Sequence, residues 1–242
     1  MTRPHGTIEI RQGQQIGWFH PQRAPALTLS ALQVDYWRGN ARVRATSSGR
    51  GSSFFIDHGE QHWVLRHYRR GGLIGKLIRD QYPGISANRS RAMREYALLE
   101  QMAAAELPVP KPLAAGFQRR GLFYRADILL QRIDGAGDLF ALLSHDALQV
   151  SQWRHIGATV RRFHDASIDH ADLNIHNILL DRSGQCWLID FDRGRKRQPG
   201  GWQAANLRRL LRSLRKEKAK QPSLHWQEAD WQALLDGYRG TE

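Results

Sequence analysis

The spacing of apolar and polar residues predicts a small antiparallel sheet in the first half of the chain. Residues 42–45 and 54–56 alternate as strands do, and the residues between them are small and suit a turn. A second turn leads into residues 62–68, which alternate again. Two more strands are predicted at 113–118 and 122–131, with a short glycine-containing turn between them.

Helical periodicity appears mainly in the second half. One of two earlier helices is predicted from Asn88 to Ala105, with Tyr96 and Leu99 on its apolar face and Asn88 as the N-cap. The other helical stretches cover residues 28–37, 148–166, 202–220 and 227–238. Strands followed by helices indicate an α+β fold, and 242 residues suffice for one large domain or two small lobes.

A polar loop after the stretch at 148–166 has the residues of a phosphotransfer site. The segment from His170 to Asn177 reads His-Ala-Asp-Leu-Asn-Ile-His-Asn, and an Asp-Phe-Asp motif begins at Asp190, thirteen residues after Asn177. A kinase needs one carboxylate to orient and deprotonate the acceptor hydroxyl, and an amide and a second carboxylate to hold Mg²⁺ at the nucleotide phosphates. Asp172, Asn177 and Asp190 fit these roles.

The residues between these two motifs explain their spacing. Residues 178–189 form an apolar strand, a polar turn with glycine and a second apolar strand, which predicts a β-hairpin. Pairing of the strands brings the loop that enters the hairpin beside the loop that leaves it, so Asn177 and Asp190 can share a metal ion. The alternative is an Asp/Asn-rich turn beside an ordinary hairpin, since such side chains often bond to nearby backbone.

Two features of the predicted sheet suit a nucleotide. Gly49 and Gly51 lie in the turn between the first two strands, where backbone N–H groups can approach a phosphate; a plain hairpin turn is the alternative. Arg66 lies where kinase folds have a lysine that pairs with phosphates and with a helix glutamate, and Glu95 lies where it can reach Arg66. The alternative for Arg66 is the exposed face of an edge strand.

Charge and composition narrow the class of partner. The net charge of +13 and a pI near 10.6 indicate that the protein has a polyanionic partner. This partner can be nucleic acid, an anionic membrane surface or a multiply phosphorylated substrate. A general arginine bias with solvated helix faces is the alternative. The apolar runs are shorter than a membrane span, no secretory signal precedes the sheet, and Cys186 is the single cysteine, from which we expect a reducing, cytosolic compartment.

The motifs resemble those of the bacterial lipopolysaccharide kinases, most closely the 3-deoxy-D-manno-octulosonic acid (Kdo) kinases. The matching segments are residues 49–54, 64–72, 94–96, 170–180 and 189–192. The resemblance implies a protein-kinase-like two-lobe fold, with a small antiparallel-sheet N-lobe and a compact helical C-lobe. The boundaries that we expect are an N-terminal extension packing on the N-lobe at 1–44, the N-lobe at 45–133 and the C-lobe at 134–242.

The resemblance also implies an activity. It is the ATP-dependent and Mg²⁺-dependent phosphorylation of the 4-OH of a Kdo residue on a lipid A precursor, at the cytoplasmic face of the bacterial inner membrane. The implied site residues are Asp172 as catalytic base, Asn177 and Asp190 as metal ligands, Gly49 and Gly51 as phosphate-loop glycines, and Arg66 with Glu95 as a nucleotide-binding charge pair.

Two positions depart from the pattern of eukaryotic protein kinases. Ala171 replaces the arginine that would bind a phosphorylated activation loop, which argues against regulation by that route. Asp192 replaces the glycine of the metal-binding motif, from which we expect a restricted backbone at that position. The short stretch after Asp192 favours a compact acceptor site over a peptide-docking segment.

Other functions remain open at this point. They are a kinase for another sugar such as a core heptose, a kinase for a soluble small molecule, a metal-dependent hydrolase using His164, His170, Asp172 and His176, and a basic pseudokinase scaffold. The amphipathic segment 207–216 suits either core packing with a solvated basic face or a membrane-surface helix. We expect an anionic membrane surface as a partner, and neither nucleic acid nor an obligate protein partner.

Overall fold

The computed structural model describes residues 6–39, 43–48, 52–68, 82–83 and 86–240. The chain divides into two compact units. The first contains residues 1–101 and 110–132, and the second contains residues 102–109 and 133–242. Helices and antiparallel sheets occur together, which confirms the α+β class.

The first unit is built on one antiparallel sheet. Its strands are β1 (Ile8–Gln12), β2 (Gln15–Phe19), β3 (Val43–Ser48), β4 (Ser52–His58), β5 (Gln61–His67), β6 (Tyr82–Pro83), β7 (Pro112–Arg120) and β8 (Phe123–Gln131). The order across the sheet is β1-β2-β7-β8-β5-β4-β3, with β6 paired to β8. β5 therefore has a neighbour on each side, β4 at one edge and β8 at the other.

The N-terminal segment adds more to this unit than the predicted helix. β1 and β2 form a hairpin that pairs with β7, two strands that the sequence reasoning missed. The predicted helix at 28–37 is a 3₁₀ turn at Leu29–Leu32 followed by α1 (Val34–Gly39). Trp37 is fully buried and its indole N–H donates to the Ala31 carbonyl oxygen at 2.7 Å, so the segment closes one hydrophobic core.

The predicted helix at 88–105 is α2 (Arg91–Ala104). Tyr96 and Leu99 are buried, as its apolar face predicts. The N-cap prediction is wrong, because Asn88 lies in a 3₁₀ turn and the Ser90 hydroxyl accepts a hydrogen bond from the Met93 N–H.

The second unit is mainly helical. Its helices are α3 (Leu139–His145), α4 (Val150–Asp165), α5 (Trp202–Lys220) and α6 (Glu228–Arg239). Its short strands are β9 (Gly137–Asp138), β10 (Ile168–Asp169), β11 (Ile178–Leu180), β12 (Cys186–Leu188) and β13 (Arg195–Lys196). The helical patterns predicted α4, α5 and α6, whereas the short α3 was missed.

Helices α4 and α6 pack backbone to backbone at two glycines. A β-carbon on Gly157 would lie 1.9 Å from the Leu234 carbonyl oxygen, and one on Gly237 would lie 1.9 Å from the Arg154 carbonyl oxygen. Neither position has room for a side chain. This contact fixes the helix that leads into the polar loop.

The segment 102–109 belongs to the second unit although it precedes the last two strands of the large sheet. The Leu188 N–H donates to the Pro108 carbonyl oxygen at 3.0 Å, and the Arg162 guanidinium donates to the Glu106 carbonyl oxygen at 2.8 Å. Among the residues that the structure describes, no helix has the length and apolar character needed to cross a membrane.

Candidate active site

The polar loop is closed by hydrogen bonds to one carbonyl group. The backbone carbonyl oxygen of Asp172 accepts from the side-chain amide nitrogen of Asn174 at 2.8 Å and from that of Asn177 at 3.1 Å. The His176 N–H in turn donates to the Asn174 side-chain oxygen at 2.9 Å. Asn177 is buried, and this bond turns its amide nitrogen toward the loop.

The hairpin forms as predicted and brings the two motifs together along the backbone. β11 and β12 pair antiparallel, with Ile178 opposite Leu188. One step further, the Ile189 N–H donates to the Asn177 carbonyl oxygen at 3.0 Å. Asn177 therefore enters the hairpin directly beside the point where Asp190 leaves it.

Asp181 stabilises the turn of this hairpin. Its carboxylate accepts from the Ser183 N–H at 2.9 Å, the Ser183 hydroxyl at 2.6 Å, the Gln185 N–H at 3.1 Å and the Trp187 indole at 2.8 Å. Although desolvation opposes the shift, these hydrogen bonds lower the pKa of the Asp181 carboxyl group. The turn is a local structure that the sequence encodes by itself.

His170 fixes the loop from inside. Its Nε2 lies 2.9 Å from the Ile189 carbonyl oxygen, and its ring lies 4.5 Å, centroid to centroid, from that of Phe191. Phe191 also stacks on Phe163. Burial lowers the pKa of His170, so the ring is neutral and acts as a structural donor to the residue before Asp190.

Asp192 is expected to restrict the backbone, and its φ is one that a non-glycine residue adopts readily. The described non-glycine residues with positive φ include Ala171 at 58° and Asp190 at 65°, and Asp192 is not among them. The loop therefore has no need of glycine at 192. The strain lies at Ala171 and Asp190, on either side of the hairpin, where such conformations cost ~1–3 kcal/mol.

Asp169 anchors the start of the loop. Its buried carboxylate accepts from the Asn206 amide at 2.9 Å, the Arg195 guanidinium at 3.3 Å, the Arg197 guanidinium at 3.1 Å and the Ala171 N–H at 3.0 Å. Burial opposes the shift, but the hydrogen bonds lower the pKa of the Asp169 carboxyl group. The strand pair β10–β13 and helix α5 are thereby tied to the residue three positions before Asp172.

Sequence reasoning missed Arg209, which contacts the predicted catalytic base. Its guanidinium forms an ion pair with the Asp172 carboxylate. The only sequence signal is the spacing of the polar residues Asn206, Arg209 and Ser213 at i, i+3 and i+7 on α5, which places them on one face. All three contact the polar loop, since Asn206 also accepts from the His170 N–H and Ser213 accepts from the Ile175 N–H.

The rest of α5 shows which interpretation of its amphipathic pattern holds. Leu210 and Leu214 are fully buried, so its apolar face is core packing. Arg215 pairs with Glu228 at 2.8 and 3.0 Å. Arg208, Arg212 and Lys216 are exposed.

In the first unit, Arg66 and Glu95 form the predicted ion pair. The Arg66 guanidinium and the Tyr68 hydroxyl both donate to the Glu95 carboxylate, which is 1 % exposed. Arg66 lies on β5, an interior strand, and its side chain is 15 % exposed, so the edge-strand alternative is wrong. The role of the pair in nucleotide binding stays a prediction. Gly49 and Gly51 lie outside the described residues.

The donor set of the second unit fits Mg²⁺ better than a hydrolytic metal. The described residues contain no group of three or more His, Cys, Asp and Glu side chains able to hold a metal ion. His164 bonds to the Tyr238 hydroxyl at 2.8 Å and His170 to the backbone, which speaks against the hydrolase alternative. An amide and a carboxylate at the base of the hairpin are oxygen donors that Mg²⁺ accepts together with substrate phosphates.

The fold, the polar loop and the hairpin define a kinase-like protein. Residues 34–238 match the lipopolysaccharide kinase (Kdo/WaaP) family, and the chain belongs to this family.

The chain is also similar in sequence to curated relatives over most of its length. It is 38 % identical over 228 residues to a 3-deoxy-D-manno-octulosonic acid kinase of Vibrio parahaemolyticus, covering 94 % of this chain and 95 % of that one. The kinase of the same name from Actinobacillus succinogenes is 40 % identical, with 96 % and 99 % covered. That of Xylella fastidiosa is 46 % identical, with 76 % and 74 % covered.

Proposed function

We propose that this protein is an ATP-dependent kinase that phosphorylates the 4-OH of a Kdo residue on a lipid A precursor during lipopolysaccharide core biosynthesis. Family membership and the names of its relatives support the acceptor. The observation that carries the reaction type is the loop from Asp172 to Asn177 joined to Asp190 through the Ile189–Asn177 backbone bond.

In this reaction Asp172 acts as the general base. The acceptor oxygen attacks the γ-phosphorus of ATP, its proton passes to the Asp172 carboxylate, and the bond between the γ-phosphorus and the β–γ bridging oxygen breaks to release ADP. The carbonyl of Asp172 is held by Asn174 and Asn177, which keeps the carboxylate in place during the transfer.

Asn177 and Asp190 are the residues that would hold Mg²⁺. When bound, this ion neutralises charge on the β- and γ-phosphates. The Asn177 amide nitrogen is used by the loop, which leaves its oxygen for the ion. For ATP itself we propose Arg66, oriented by Glu95, and the backbone at Gly49 and Gly51.

We propose a peripheral location at the cytoplasmic side of the inner membrane. Arg208, Arg212 and Lys216 lie four residues apart on α5 and are exposed on one face, where anionic headgroups and lipid A phosphates can bind. The attraction is electrostatic, because the apolar face of this helix is buried. We propose neither nucleic acid nor an obligate protein partner.

Transfer of labelled phosphate from ATP tests the proposal. The acceptors to compare are a Kdo-bearing lipid A precursor, a heptosylated core and free sugars, each at matched concentration. We expect label in the Kdo-bearing lipid, with the phosphate at the 4-position by NMR of the product. Transfer to heptose instead would make the protein a core heptose kinase, and no transfer to any acceptor would refute the kinase assignment.

A further inference from the structure

One face of α5 contacts the predicted catalytic loop. Asn206 is fully occupied there, since it bonds to Asp169, to the His170 N–H and to the Trp202 carbonyl oxygen. Ser213 accepts from the Ile175 N–H at 3.2 Å. These two contacts fix the helix against the loop, and Arg209 lies between them.

Arg209 differs from its two neighbours on this face because its partner is the predicted base. Its side chain is 41 % exposed and that of Asp172 is 31 % exposed, so both groups can meet a ligand. Its Nε–H is buried and has no hydrogen-bond partner among the described residues. A desolvated donor without an acceptor carries a free-energy cost. The Arg209 side chain can therefore change its partner without losing a fully satisfied set of hydrogen bonds.

The ion pair places a positive charge at the predicted base. The guanidinium contacts one oxygen of the Asp172 carboxylate, which leaves the other oxygen to accept the proton of an acceptor hydroxyl. A hydroxyl that donates to Asp172 therefore lies close to the positive charge of Arg209, because both contact the same carboxylate. An anionic group of the acceptor close to that hydroxyl would therefore lie within its reach.

We infer that Arg209 is a specificity-determining residue that binds the sugar carboxylate of the acceptor. This inference rests on the proposed function, because Kdo carries a carboxylate on the same ring as its 4-OH, whereas a heptose has none. Guanidinium is the side chain best matched to a carboxylate, through two parallel N–H···O bonds. In this structure the Asp172 carboxylate is the anionic partner of Arg209, and on binding, the acceptor carboxylate would replace it.

The test combines a change in the acceptor with a change in the enzyme. The two acceptors are a Kdo-bearing lipid A precursor and the same lipid with its Kdo carboxylate converted to the methyl ester. We expect the wild-type protein to lose ~10–100-fold in kcat/KM on the ester, the range of a charge-assisted hydrogen bond. Arg209→Ala should lose a similar factor on the acid and should no longer distinguish acid from ester.

Arg154→Ala is the matched control, since Arg154 is an exposed arginine of α4, away from the face of α5 that contacts the loop. It removes the same charge and should retain the wild-type ratio of acid to ester, and Arg209→Lys should give an intermediate ratio. The KM for ATP should stay unchanged in all variants.

Three results separate the possible failures. Equal turnover of acid and ester by the wild-type protein would overturn the inference without any variant. If Arg209→Ala kept the wild-type ratio of acid to ester, Arg209 would have another role. A raised KM for ATP in this variant would also assign it another role. If the wild-type protein phosphorylates no Kdo-bearing lipid, the proposed function itself fails.

Discussion

At the scale of single residues, the polar loop joins side chains that lie close together in the sequence to one that lies far away. Asp172, Asn177 and Asp190 lie in short motifs whose spacing predicts the roles proposed for them. Arg209 lies thirty-seven positions after Asp172 on a helix whose pattern shows only that it is amphipathic. No local pattern indicates which polar residue of a helix will contact a distant loop, so that partner becomes visible only in three dimensions.

We expect Asp172→Asn to abolish phosphotransfer while ATP binding survives. The amide keeps the size of the side chain but cannot accept the hydroxyl proton, and loss of a positioned base costs ~10²–10⁴-fold in rate. Turnover and nucleotide affinity should be measured side by side. Asp165→Asn is the control, because Asp165 is an exposed carboxylate paired with Arg161 at 2.6 Å; near-normal turnover of Asp172→Asn would remove Asp172 from the mechanism.

Asp190→Asn and Asn177→Ala should each weaken MgATP binding by ~10–100-fold, the size of effect seen even for residues that only support a metal ligand. Asparagine is the better replacement at 190, because alanine would be strained at a φ of 65°. Nucleotide titrations at several Mg²⁺ concentrations measure the effect. Unaltered affinity and metal dependence in both variants would contradict a metal site at the base of the hairpin.

At the scale of elements, local patterns predicted the hairpin β11–β12 and the helix α5 because each has its full signal within its own residues. The strands β1 and β2 were missed although Ile8, Glu9 and Ile10 alternate before a glycine turn at Gly13. β1 pairs with β2, and β2 pairs with β7, which lies about a hundred residues later. Short strands of this kind are recognised from pairing rather than from periodicity.

The α4–α6 contact leads to a stability prediction. Gly157→Ala should lower the free energy of unfolding by ~1–3 kcal/mol or more, because the new methyl group meets the Leu234 backbone. Urea unfolding followed by circular dichroism measures it. Gly201→Ala is the matched control, since no atom lies within 4 Å of its β-carbon position and its φ is −62°; equal stability of the two variants would show that α6 can move away at no cost.

At the scale of the whole molecule, buried histidines make stability depend on pH. Burial lowers the pKa of His164 to about 4, and it lowers the pKa of His170 as well. Between pH 6.5 and 4 the unfolded chain binds protons that the native protein does not, so stability falls as the pH falls through this window. His164 alone contributes up to roughly 3 kcal/mol of this loss.

Replacement of His164 by glutamine should flatten the dependence of unfolding free energy on pH between 6.5 and 4, even if the variant is less stable at neutral pH. Urea midpoints at several pH values give the slope. His145→Gln is the matched control, because His145 is an exposed histidine of the same unit. A His164 variant with the wild-type slope would show that other groups cause the acid sensitivity.

The basic face of α5 predicts salt-sensitive membrane binding. Replacing Arg208, Arg212 and Lys216 by glutamine should weaken binding to anionic vesicles and raise the apparent KM for the lipid acceptor, with the KM for ATP nearly unchanged. Screening over ~8 Å at physiological salt should weaken the wild-type interaction as salt rises.

A triple variant with the same loss of charge, at the exposed residues Lys111, Arg119 and Arg120 of the first unit, is the control and should bind vesicles more strongly than the α5 variant. Equal losses in both would mean that net charge alone is responsible. Tight binding of nucleic acid without vesicle binding would assign the charge to a different partner.

The segment 102–109 also affects how the chain can be made or divided. The Pro108 carbonyl oxygen accepts from the N–H of Leu188, which is synthesised eighty residues later. The second unit can therefore be completed only after β7 and β8, which belong to the first unit, have been synthesised. A fragment that begins at residue 133 would lack the acceptors for Leu188 and Arg162. Dissection at a single point is therefore ruled out, and a soluble fragment of the second unit would need residues 102–109 fused back to it.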